Sequence, residues 1–240
     1  MNLKNRKNQG LFITCEGGEG SGKTTLIHSL EQALLKHGYE VVRTREPGGS
    51  ALGNQIRECL LHHDFSICTH AELMLFLASR AQHVHELIQP ALLASKVVLC
   101  DRFNDSTVAY QGIARGLGSD FVQRMCDFVC QDIVPDLTLF LDIDPVEGLN
   151  RTKRRMVEAD RIESERLEFH QKVRHGLQEL AGKYAERIRV IDASQSTDYV
   201  FNEAWLHLQV LLSEGFNTET QSHREHRGEK NEREGEDEFA

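Results

Sequence analysis

Gly17-x-x-x-x-Gly22-Lys23-Thr24 sets a lysine and a hydroxyl directly behind four glycines packed into six residues. That spacing serves phosphate chemistry. Glycines let the backbone turn its N–H groups toward one concave point, and a helix starting there adds its positive N-terminal end. A lysine at position 23 suits β- and γ-phosphates, and a hydroxyl at position 24 suits Mg²⁺. The segment therefore supplies Gly17, Gly18, Glu19, Gly20, Ser21, Gly22, Lys23, Thr24 and Thr25 as nucleotide-binding residues. The bland alternative is a Gly-rich turn that binds nothing. The apolar run before it and the Leu26-Ile27 restart after it supply the strand–loop–helix context that a phosphate site requires.

Two further stretches could join this chemistry. Asp101 closes the apolar run Val97-Val98-Leu99-Cys100, as a Mg²⁺-organising carboxylate would, and Arg102 follows it at the sheet edge where ligands bind in open α/β folds. Arg151, Arg154 and Arg155 belong to a basic stretch running on to Asp160-Arg161. Such a run is usually a solvated helix face. In a protein that neutralises a transferring phosphoryl group it reads instead as a mobile lid that supplies arginines and excludes water.

The elements that must position these residues follow from periodicity. Apolar strands are expected at 11–15, 40–44, 97–101, 137–141 and 189–192, separated by helical patterns at 26–36, 51–61, 69–94, 105–113, 119–131 and 197–212, with a further helix running to Tyr184. Thr69-x-x-Glu72 has the form of a capping box. Strands alternating with helices specify an α/β fold, a parallel sheet covered on both faces. The chain of 240 residues fits one such domain, over about 10–213, with a charged disordered tail over 214–240. A net charge of −9 argues against nucleic acid as the main partner. No apolar run is long enough for a membrane span, which predicts a cytoplasmic protein without a membrane partner. The six cysteines fit that compartment, and Cys126/Cys130 lack the second ligand pair a metal site needs.

Six segments then occur in order: Glu16-Gly17-x-x-Gly20-x-Gly22-Lys23-Thr24-Thr25, Arg45-Glu46-Pro47-Gly48-Gly49, Phe76-x-Ala78-x-Arg80-Ala81-Gln82-His83, Asp101-Arg102-Phe103, Ser106-x-x-Ala109-Tyr110-Gln111-Gly112 and Asp160-Arg161-Ile162-Glu163. Together they resemble the bacterial thymidylate kinases. The resemblance implies a P-loop fold of three α/β/α layers with a five-stranded parallel sheet and a basic lid. It implies ATP as phosphoryl donor, Mg²⁺, dTMP as acceptor, and a homodimer. It places Arg80 at the base, where it can donate to O4, with Thr107 and Gln111 along the same edge, Phe76 stacked on the ring and Pro47 as a wall. It places Tyr110 against C2′, Arg102 and Arg45 on the acceptor phosphate, Glu46 and Arg57 in the substrate loop and helix, and Glu16 near the metal and acceptor phosphate. With acidic Glu19 in the loop, the chain resembles those members that supply catalytic arginines from the lid, here Arg151, Arg154 or Arg155. Its lid is about one residue longer than the common pattern, Phe103 stands where Tyr is commoner, and Ser50 where Thr is commoner. The rival readings are a kinase for another nucleotide and an NTP-driven switch, which would need no base-reading pocket.

Overall fold

The computed structural model describes residues 10–62, 65–131, 133–154 and 160–216. Five strands, β1 (Phe12–Glu16), β2 (Val41–Arg45), β3 (Val97–Asp101), β4 (Leu137–Asp142) and β5 (Ile188–Asp192), form one parallel sheet in the order β2-β3-β1-β4-β5. β1 is central and buried along its whole length. Its buried Thr14 meets Thr138 of β4 at 2.8 Å between hydroxyls, so the two satisfy each other inside the sheet.

The helices are α1 (Lys23–Lys36), α2 (Ala51–Leu61), α3 (Thr69–His83), α4 (Gln89–Leu93), α5 (Asn104–Thr107), α6 (Ser119–Cys130), α7 (Pro145–Lys153), α8 (Leu167–Lys183) and α9 (Thr197–Phe216). The expected five-stranded α/β fold is present. The chain divides into two compact units, Met1–Glu203 and Ala204–Ala240. The first carries the sheet and every residue discussed below; the described part of the second is the C-terminal portion of α9. That helix runs to Phe216, past the boundary expected near Ser213, and most of the expected tail lies outside the described residues.

Four local differences from the sequence reading have physical reasons. The long helix expected over 69–94 passes through a π-helical segment, Val84–Ile88, just ahead of Pro90, whose missing N–H breaks the regular ladder. The helix expected over 105–113 likewise becomes π-helical from Val108 to Ala114. α7 occupies the start of the basic stretch, capped by Asp144, whose carboxylate accepts from the Val146 N–H at 2.9 Å, with Pro145 opening the helix. The capping box at Thr69 does not form: Cys68 holds the cap position without a side-chain bond, and Glu72 turns into the protein instead.

Candidate active site

The carboxyl ends of β1, β2 and β3 lie side by side, with Cys15 and Arg45 both in register with Asp101. Side chains just beyond these ends must share one edge of the sheet. The phosphate loop leaves β1 here and enters α1 at Lys23. Gly20 has φ +68°, and a Cβ on it would stand 2.1 Å from the Gly148 carbonyl oxygen, so α7 lies directly against the loop. The Lys23 ammonium donates to the Gly18 carbonyl at 2.8 Å and to that of Gly17 at 3.1 Å. Burial, and then the neighbouring Arg102 charge, depress its pKa. Across the β1–β3 junction the Thr24 hydroxyl donates to Asp101 Oδ2 at 3.2 Å.

Arg102 leaves β3 with φ +69°, a left-handed conformation that costs a non-glycine residue free energy. The turn delivers its guanidinium beneath the loop. Nη2 donates to Glu19 Oε1 at 2.6 Å, Nη1 donates to the Gly17 carbonyl at 2.9 Å, and Cζ lies 5.1 Å from the Tyr110 ring centroid. The Tyr110 hydroxyl donates to the same Glu19 oxygen at 3.0 Å. Burial opposes ionisation of Glu19, but Arg102, Lys23 and Tyr110 together outweigh it and hold its pKa at about 2.

From this centre a cavity of about 470 Å³ extends past the loop. Ser21, Gly22, Thr24 and Asp101 line one end; Phe76, Arg80, Thr107 and Gln111 line the other, with Arg45, Pro47 and Arg57 along its side. Arg80 is fully buried and held from three sides: Nε donates to Glu46 Oε2 at 2.6 Å, Nη2 to the Thr107 hydroxyl at 2.9 Å and Nη1 to Cys126 Sγ at 3.4 Å. Glu46 also accepts from His83 Nδ1 at 2.9 Å. Burial works against its charge, but Arg80 and His83 prevail and its pKa falls. The Glu46–Pro47 peptide is cis. Arg57 Nη1 donates to the Pro47 carbonyl at 3.0 Å, tying α2 to this turn.

Other expected site residues stand elsewhere. Glu16 does not line the cavity. It is fully buried, accepts from the Phe103 N–H at 2.7 Å and from the Ser106 hydroxyl, and burial followed by the nearby Asp105 charge raises its pKa to about 7. Arg151 is a residue of α7, bound to the Ala193 carbonyl at 2.9 Å and to Glu147; it lines a second groove of about 510 Å³ that shares Ser21, Gly22 and Thr25 with the loop. Arg154 ends α7, and Arg155 lies outside the described residues. The far end of the expected lid, Asp160, Ile162 and Glu163, lines the main cavity.

Two buried residues of this region received no role from the sequence. His83 supports Glu46 from one side and meets the Thr44 hydroxyl at 2.7 Å from the other. Glu72 gathers Gln111, Arg115 and Arg161. His83 sits inside one of the six quoted segments, which was the available signal; Glu72 was legible only as a cap.

A Gly-rich loop shaped for a triphosphate, opening into a cavity whose far end is walled by arginine, is the layout of a P-loop kinase that moves a phosphoryl group between two bound nucleotides. Comparison with known proteins narrows that class. A family model described as Thymidylate kinase matches residues 15–204. The chain is 52% identical over 210 residues to a protein named thymidylate kinase of Protochlamydia amoebophila, covering 84% of this chain and 93% of that one. It is 47% identical over 198 residues to the one of Clostridium novyi, covering 82% and 97%. The crystal structure of thymidylate kinase from Ehrlichia chaffeensis superimposes with a TM-score of 0.69 at 34% identity, over 83% of this chain and 99% of that chain. The chain belongs to the thymidylate kinase family.

Proposed function

We propose that the chain transfers the γ-phosphoryl group of ATP, bound with Mg²⁺, to the phosphate of dTMP, giving ADP and dTDP. The observation that carries this reading is the single cavity joining the phosphate loop to the arginine-held pocket. One molecule's phosphate can there reach the end of another's triphosphate.

The reaction needs little covalent help, because an acceptor phosphate dianion is already nucleophilic; positioning and charge neutralisation do the rest. Loop N–H groups and Lys23 hold the donor phosphates. Arg102 exchanges Glu19 for the acceptor phosphate, which its planar fork fits in the same way. Arg45 and Arg57 flank that phosphate from the cavity side. Phe76 stacks on the pyrimidine, Arg80 donates to O4, and the Gln111 carbonyl oxygen accepts from N3–H, with Thr107 holding Arg80 in place. Tyr110 closes the sugar side. The groove beside Arg151 receives the donor nucleoside, and Arg154 and Arg155 remain the candidates to close over the transferred group.

Thr24 and Asp101 fit Mg²⁺: a hydroxyl and a carboxylate 3.2 Å apart offer the small oxygen set this ion takes when phosphates and water complete its shell. Bound there, the ion would neutralise charge on the β- and γ-phosphates. A homodimer is supported by Phe121 and Phe128, two exposed aromatic residues two turns apart on α6. Among the described residues no helix is long and apolar enough to cross a membrane.

The test is ADP release with each common nucleoside monophosphate as acceptor. dTMP should give the highest kcat/KM. ATP turnover that dTMP does not stimulate would refute the assignment.

A further inference from the structure

We infer that Glu72 is a positioning residue for base selection: it fixes the side-chain amide of Gln111 so that the carbonyl oxygen, rather than the amino group, faces the pyrimidine. The inference rests on the proposed dTMP reaction and deepens it, because it names the group that makes the pocket select a 4-oxo over a 4-amino base.

Glu72 lies on α3 about two turns before Arg80, and both side chains are buried. It is 1% exposed. Its carboxylate accepts from Gln111 Nε2 at 2.9 Å, from Arg115 Nε and Nη2 at 3.1 and 3.3 Å, and from Arg161 Nη2. Burial opposes its charge, but the hydrogen bonds from Gln111, Arg115 and Arg161 outweigh that and lower its pKa. An ionised carboxylate has no proton to give. Any amide beside it must present NH₂, and the amide's carbonyl is then sent the opposite way.

For Gln111 the opposite way is the cavity, which it lines. Among the described residues no protein donor reaches its Oε1. Beside it stands Arg80, a group that can only donate. The pocket therefore shows a donor and an acceptor in a fixed order. Thymine and uracil answer with an O4 acceptor and an N3–H donor. Cytosine presents an amino donor and a bare N3, the reverse at both points. Buried polar groups left unpaired in this way are what give a hydrogen-bonding site its discrimination.

A purely structural role for Glu72 is the alternative. Arg115 follows Gln111 by four residues and also binds Glu165 at 2.7 Å; Arg161 donates through Nε to the Leu60 carbonyl at 3.0 Å. Glu72 thus ties the π-helical segment and the chain after α7 to α3, whatever it does for the base. The two roles separate in the ratio of kcat/KM for dTMP to that for dCMP.

In Glu72→Gln the new amide can offer either face, so Gln111 is free to turn. The dTMP:dCMP ratio should fall at least about tenfold, the factor that about 1.4 kcal/mol of lost discrimination yields, with the change mainly in the two KM values. Glu72→Asp, which still only accepts, should retain more of the ratio than Glu72→Gln. Arg161→Ala loosens the same anchor without touching the amide; it should lower the Tm and keep the ratio. Gln111→Leu removes the acceptor and leaves Arg80 reading position 4, so it should lower the ratio at least as far as Glu72→Gln; if Glu72→Gln fails to fold, Glu72→Asp decides the matter, since an acceptor kept at position 72 should hold the ratio above that of Gln111→Leu. The inference falls if folded Glu72→Gln keeps the wild-type ratio, if Gln111→Leu keeps it, or if Arg161→Ala loses it equally. A wild-type chain that turns over no pyrimidine monophosphate defeats the proposed reaction and this inference together. Wild-type selectivity for dTMP that survives in Glu72→Gln defeats the inference alone.

Discussion

At the arginine-walled end of the cavity, Glu46 faces a guanidinium at 2.6 Å and a histidine at 2.9 Å, and its pKa falls. Beneath the phosphate loop, Glu16 is equally buried but bonds only to a backbone N–H and a hydroxyl, and its pKa rises to about 7. Of the cations, Lys23 differs in the same sense, while Arg102 keeps a carboxylate partner as Arg80 does. Arg80 is bonded by Glu46 and Thr107 within the wall, whereas Lys23 rests on two loop carbonyls and Arg102 on Glu19. A wall built from permanent ion pairs keeps its shape while the base is exchanged. At the phosphate centre Lys23 has neutral partners that an arriving phosphate can replace, while Arg102 keeps a carboxylate as close as that of Arg80, so a phosphate must displace Glu19 to gain it.

Breaking the wall should have the largest effect. Arg80→Ala strands Glu46 without its guanidinium, and removing one partner of a buried pair costs about 3–5 kcal/mol. The Tm should drop on the order of 10 °C for a chain of this size, and the KM for dTMP should rise with it. Thermal melting beside steady-state kinetics checks both, and a Tm at the wild-type value would show that the pair carries no stability.

The cation on the loop should behave differently. Lys23→Ala removes a group whose present partners are all neutral, two carbonyls and the Ser21 hydroxyl, so the Tm should stay near wild type while kcat falls about 10²–10³-fold, the loss typical of a donor aimed at developing charge. A large fall in Tm would mean that Lys23 belongs with the fixed pairs.

The gentlest probe is pH. The folded-state pKa of Glu16, about 7, lies above its ordinary value of 4.5. The folded protein therefore keeps a proton that the unfolded chain has released, and the contribution to stability is full below about pH 4.5 and is lost as pH rises toward 7. Glu16→Gln keeps the hydrogen-bonding shape without the titration. Its Tm relative to wild type should climb by a few degrees across that interval, and parallel Tm profiles would sink the assignment.

How much of this was legible in the sequence depended on the distance between partners. The loop, the Thr24–Asp101 pair and the five strands were readable because glycine spacing and apolar runs are local signals. α7 was not read, because a run of basic residues hid the Asp144-Pro145 start that marks it. Glu72 was read as a cap from its neighbour Thr69, but its carboxylate serves Gln111, 39 residues away, and Arg161, 89 away. Local pattern cannot tell whether a carboxylate turns back on its own helix or reaches across the fold. The Arg80–Glu46 pair, 34 residues apart, came within reach only through the resemblance of whole segments, and even that assigned Glu46 to the substrate loop without showing what it holds.

The contact between Gly20 and Gly148 has one more consequence. A Cβ on either residue would come within 2.1–2.2 Å of a backbone oxygen on the opposite element, so the two main chains meet with no side chain between them. Elsewhere in a protein, rotamer changes take up small displacements like slack in a belt. Here there is no belt: the loop and α7 bear on each other as meshed gears do. A shift of α7, the helix that leads into the arginine stretch, passes straight to the peptide groups of the glycine-rich loop.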